Sequence, residues 1–136
     1  MPNFEKLRLP TEGSVITFTK GNPSIPNDPI VPFIRGDGTG VDIWPATQKV
    51  IDAAILKEYG NKRKINWFKI YAGDEACELY GTYQYLPEDT IAAIRHFGVA
   101  IKGPLTTPIG GGIRSLNVAL RQIFDLYSCV RPCKYY

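Results

Sequence analysis

Apolar positions along the chain switch repeatedly between strand-like and helix-like spacing. Ile30 to Ile34 is a short unbroken apolar run, the length of a buried strand. Val41 to Tyr59 takes up helical spacing, with Ala46, Val50, Ala53, Ala54 and Ile55 on one face, Pro45 in the first turn and Gly60 as the stop. Ile65 to Tyr71 returns to the aromatic and branched residues that suit a strand. A second helix opens at Leu86-Pro87-Glu88-Asp89, where the dipole favours the acids, and ends at Gly98. Val99 to Ile101 reads as a strand running into Lys102, Ser115 to Phe124 as a third helix, and Leu126 to Val130 as a further strand. This alternation predicts an α/β fold with a largely parallel sheet. Pro32 predicts an edge position or a bulge for the first run, because proline cannot donate to a ladder. Ahead of it, residues 1 to 28 read as an irregular lead-in with one short alternating strand, Val15 to Phe18. Asn22 to Pro29, with three prolines, predicts a turn or extended connector.

At 136 residues the chain can bury one core. Its 44% hydrophobic and 21% charged residues are those of a folded soluble domain. No run approaches the roughly 18 apolar residues of a membrane span, and Met1 to Lys6 lacks the apolar centre of a signal peptide. A cytoplasmic protein with no membrane partner is the expectation. An odd count of three cysteines speaks against a disulfide scaffold, and Cys129 and Cys133 have no companion ligand pair for zinc. They read as buried or incidental thiols. His96, late in the second helix, reads as a solvated helix residue. The net charge of +3 is too small to imply nucleic acid. Its distribution says more. From residue 102 onward Lys102, Arg114, Arg121, Arg131 and Lys134 face a single acid, Asp125, so this segment carries +4 and everything before it −1.

That basic segment holds the candidate chemistry. Ligands of open α/β sheets collect beyond the carboxyl ends of the strands. Thr106 and Thr107 follow such an end and could offer hydroxyls to a cofactor, or simply cap a turn. Gly110, Gly111 and Gly112 permit close backbone approach to a ligand. Ser115 stands at a helix start, where a hydroxyl and free amides face an anion. Asn117 and Arg121 are four apart and share a helix face. Arg121 and Arg131 can each grip a carboxylate with two parallel hydrogen bonds, which lysine cannot. A solvated helix face with a serine cap is the plainer account of each residue alone; together, behind a triple glycine, they point to a ligand with several carboxylates. By contrast, Gly36-Asp37-Gly38-Thr39-Gly40 fails as a dinucleotide-binding motif, because Val41 stands where its third glycine belongs. A Rossmann fold is excluded.

Ile101 to Arg121, with Asp125, Leu126, Tyr127, Arg131, Pro132, Tyr135 and Tyr136, resembles the bacterial NADP-dependent branch of the isocitrate/isopropylmalate dehydrogenase family. Phe33 to Val41, Trp44-Pro45-Ala46, Ile70 to Gly73, Tyr80, Gly81, Leu86 and Pro87 are similar too, so the resemblance runs from about residue 29 to the end. It implies an enzyme that oxidises isocitrate to 2-oxoglutarate with loss of CO₂, using NADP and Mg²⁺ or Mn²⁺, in a cytoplasmic homodimer that shares active sites. By this resemblance Thr106 matches a cofactor contact. Ser115, Asn117, Arg121 and Arg131 match substrate-carboxylate ligands, and Lys102 matches an auxiliary lysine of the substrate pocket. The family's fold has a large domain built from both chain ends and a smaller one between them. Residues 1–125 would then supply the front of the large domain and 126–136 the start of the small one.

The family's catalytic tyrosine and lysine, its metal-binding aspartates, its main NADP loop and a third substrate arginine lie beyond residue 136. No catalytic or metal residue is therefore expected within this chain, and the 136-residue chain is expected to be inactive alone. The close at Lys134-Tyr135-Tyr136, with no capping residue or polar tail, agrees with the front portion of a larger protein. The alternatives are a sister isopropylmalate-type dehydrogenase and a non-catalytic module that binds anions or a partner chain.

Overall fold

The computed structural model describes residues 2–106 and 115–135 of the chain. Regular structure begins with an antiparallel ribbon of Thr17–Thr19 (β1) and Asn22–Ser24 (β2), Thr17 opposite Ser24. Lys20 and Gly21 turn the corner with φ of 51° and 81°, as the tightest hairpins require. The connector expected from Asn22 onward thus starts as a strand. A two-stranded ribbon is all edge, so Pro23 costs it no ladder partner.

Ile30–Ile34 (β3) forms as expected, every residue buried. The helix predicted next is Gly40–Tyr59 (α1), closed by Gly60. Asn66–Lys69 (β4) and Ile101–Lys102 (β5) flank β3 in parallel, giving the order β4-β3-β5. Pro32 therefore lies in the central strand, not at an edge. Successive residues of a strand direct their backbone groups to opposite sides. The Phe33 carbonyl accepts from Ile70 on the β4 side and the Ile34 carbonyl from Gly103 on the β5 side. Pro32 faces the β5 side, where pairing covers only Phe33 and Ile34, so its missing N–H breaks no ladder bond.

Between β4 and β5 lie Asp74–Tyr80 (α2), which the apolar pattern does not announce, and Glu88–Phe97 (α3), which it does. Thr90 ties α3 to the end of β4: its hydroxyl donates to the Tyr71 carbonyl at 2.6 Å and accepts the Tyr71 amide at 3.3 Å. The third predicted helix is Leu116–Ile123 (α4), with Ser115 at its N-cap and Phe124 at its C-cap. Phe68, Phe97, Ile34 and Ile70 centre the core, joined by Leu116 and Leu120 of α4. Each such side chain is worth about 1.5–3 kcal/mol by burial.

Three further expectations fail. Leu126 to Val130 is irregular and exposed, since no described strand lies beside it to supply ladder partners. On α1, Ala46, Val50, Ala53 and Ala54 face solvent; the buried side chain is Trp44, stacked on Phe33 at 4.1 Å with Trp67 edge-on at 5.2 Å. Pro45 sits in the second turn, not the first.

Candidate functional site

The carboxyl ends of β3 and β5 are sewn together by main-chain bonds. Gly103 N–H donates to the Ile34 carbonyl and Asp37 N–H to the Pro104 carbonyl, both at 2.8 Å. A Cβ on Gly103 would stand 2.0 Å from the Arg35 carbonyl oxygen, so glycine is the residue that lets the two loops meet. The Gly36–Gly40 loop is thus a structural turn packed on the β5 loop. The Asp37 carboxylate completes the seam by accepting the Thr106 amide at 2.9 Å and the Asp74 amide at 3.0 Å. Thr106 itself is exposed, directly after the buried Leu105.

Beside this seam a cavity of about 430 Å³ opens between β5, α3 and α4. Lys102, Asn117 and Arg121 line it together with apolar Ile94, Leu120 and Phe124. The four-residue spacing of Asn117 and Arg121 does what it predicted: both face the same hollow. Lys102 Nζ bends back to the Gly103 carbonyl at 2.7 Å. Its pKa is lowered because neighbouring groups withhold water from the ammonium and because Arg121 repels it, with Asp37 opposing the shift. Lys102 and Arg121 thus crowd two like charges around a space suited to an anion.

Arg131 does not line this cavity; it is tied to the neighbourhood of Arg121 through Cys129, a residue the sequence does not single out. The Cys129 sulfur accepts a hydrogen bond from Arg131 and lies against Arg121, and these cations hold its pKa below the usual thiol value, the Arg131 bond first. Cys129 and Cys133 are exposed and Cys77 half-buried, so of the two readings, buried or incidental, the structure leaves out the fully buried one. The Cys129 contact follows from the chain folding back after α4, which spacing does not encode. Ser115 takes its expected place at the start of α4 without closing the cap through its side chain. His96 is exposed, its ring edge-on to Phe97 at 4.9 Å. Thr107, the triple glycine and Arg114 lie outside the described residues.

The sequence model of the isocitrate/isopropylmalate dehydrogenase family matches residues 30–136. The chain belongs to this family. Its parallel sheet and helix order agree with the fold that membership implies, and no Rossmann motif is involved. Over 133 residues it is 74% identical to the NADP isocitrate dehydrogenase of Nostoc sp. and 75% identical to that of Synechocystis sp., covering 98% of this chain and 28% of each relative. The Coxiella burnetii enzyme of the same name is 53% identical over the same length, 31% of that protein. Among solved structures, an isocitrate dehydrogenase from Methylococcus capsulatus superposes with a TM-score of 0.61 at 43% identity, over 72% of this chain and 26% of that one. The chain therefore spans about three tenths of the length of the relatives it matches.

The resemblance implies two cofactors, NADP and Mg²⁺ or Mn²⁺. The described residues hold no group of three or more His, Cys, Asp or Glu able to bind a metal ion, so this donor set does not fit one. Asp37 is spent on two amides, which removes the best-placed carboxylate from consideration. For NADP the fit is partial: Thr106 offers an exposed side chain on an anchored main chain at the sheet's carboxyl end. No described helix is long and apolar enough to cross a membrane.

Proposed function

We propose that this chain supplies the substrate-carboxylate side, and part of the NADP contact, of an isocitrate dehydrogenase that releases CO₂ and 2-oxoglutarate. The observation carrying this reading is the convergence of Lys102, Asn117 and Arg121 on one cavity flanking β5. Arg121 and Arg131 bind carboxylates as planar forks. The Asn117 amide and the Ser115 hydroxyl orient the ligand, and the Lys102 ammonium, held close to Arg121, is relieved of like-charge repulsion when an anion enters. Thr106 contacts the cofactor. When bound, NADP accepts the hydride from the substrate's hydroxyl-bearing carbon. No metal-dependent step is assigned to this chain.

Residues 1–125 belong to the large domain and 126–136 begin the small one. The working enzyme is a cytoplasmic homodimer without nucleic-acid or membrane partners. The purified 136-residue chain, given isocitrate, NADP and Mg²⁺, yields no NADPH. A hybrid in which this chain replaces the matched segment of the Nostoc sp. relative does. Turnover by the chain alone would overturn the division of labour, and a hybrid that prefers isopropylmalate, or is inactive, would overturn the substrate.

A further inference from the structure

Asp37 is 7% exposed, and among the described residues no cation forms an ion pair with it. A buried carboxylate is costly unless its charge is met. Here two main-chain amides meet it, Asp74 N–H on Oδ1 and Thr106 N–H on Oδ2, with Lys102 attracting it at longer range. The notch that receives the carboxylate is built for it. A Cβ on Gly73 would stand 2.3 Å from Asp37 Oδ2, and Gly73 has a φ of +76°, which a side chain would resist. The two amides belong to different loops, one opening α2 and the other following β5. Leu105 anchors the second loop in the core, and Asp37 holds the next residue from the other side.

From this geometry we infer that Asp37 is a positioning residue for the cofactor contact. It fixes the main chain of Thr106 before the dinucleotide arrives, so that the exposed side chain is already aimed at the sheet's carboxyl end. Without that anchor the loop would have to be ordered by the ligand, at the expense of affinity. The role rests on the reading above that Thr106 touches NADP.

The hybrid enzyme tests it. Asp37→Asn keeps the shape but turns one acceptor into an amide donor facing an N–H. The KM for NADP should rise about tenfold, while the KM for isocitrate and kcat at saturating NADP stay within about threefold. In the unsubstituted hybrid, amide hydrogen exchange at Thr106 should already be slow without NADP, a measurement that holds whether or not the variant folds. Fast exchange that slows only when NADP is added would overturn the inference. So would an NADP KM that is unchanged, or both KM values rising in parallel. An unsubstituted hybrid that makes no NADPH would instead overturn the proposed function, and the cofactor role of Asp37 with it.

Discussion

Arg121 faces the cavity from α4, with Lys102 lining the same hollow and Arg131 linked to it through Cys129. Replacing it by lysine keeps the charge and removes the fork. If Arg121 grips a carboxylate through two hydrogen bonds, Arg121→Lys in the hybrid enzyme forfeits about 1.5–3 kcal/mol, a rise of roughly 10- to 150-fold in the isocitrate KM. Arg121 is exposed, so the melting temperature should hardly move. Steady-state kinetics and a thermal melt on the same sample check both halves, and an unchanged KM would remove Arg121 from the site. The pairing of Arg121 with Asn117 was legible from spacing, since i and i+4 positions share a face whatever the tertiary fold. Cys129 and Asp37 were not. Asp37 acts through amides 37 and 69 residues away, contacts that exist only once three loops meet.

At the level of elements, the acids opening α3 illustrate how far a local rule reaches. Asp89 was expected in the first turn because the helix dipole favours it, and it is there. Its further task is long-range. It accepts the amides of Glu5 at 3.0 Å and Lys6 at 2.9 Å and the Tyr80 hydroxyl at 2.7 Å, pinning the lead-in and the end of α2 onto α3. Burial pushes the Asp89 pKa up, but the amides of Lys6 and Glu5 and the Tyr80 hydroxyl outweigh it, so the net shift is downward from 3.8. The same contacts, with burial foremost, push the Tyr80 hydroxyl well above its ordinary value. The sign for stability follows. A depressed carboxyl stabilises the fold above its unfolded pKa and loses that contribution as pH falls through the folded value. Asp89→Asn should therefore cost about 1 kcal/mol at neutral pH, discounted for partial solvent access, and progressively less as the solution is acidified below pH 3.8. Parallel denaturant titrations of both proteins at several pH values measure the gap; one that stays constant down to the acid limit would refute the assignment. Helix α1 shows the opposite limit of sequence reading. Its period was plain, yet the period cannot say which apolar stripe meets the sheet, and the Trp44 stack with Phe33 took that place from Val50 and the alanines.

Across the whole molecule, the core lies between β3, β4, α3 and α4, and the outer side of α1 is left apolar. Ile43 is 52% and Val50 68% exposed, and with Ala46, Thr47 and Ile51 they line a shallow groove of about 380 Å³. A soluble monomer seldom displays a connected apolar surface of this kind without something to cover it. For the 136-residue chain in isolation, the available cover is a second copy. Charge does not prevent it, since the surplus of cations gathers after residue 102 and leaves the preceding segment at −1. The chain should therefore self-associate with rising concentration, and Ile43→Lys combined with Val50→Glu should shift it toward monomer. Both side chains contribute little to the core, so the double variant should melt within a few degrees of the parent. Sedimentation equilibrium over a concentration series separates the possibilities. A parent chain that stays monomeric throughout would show that the groove is tolerated bare. Association undiminished in the double variant would move the contact elsewhere, for example to β5, the last strand of the sheet among the described residues.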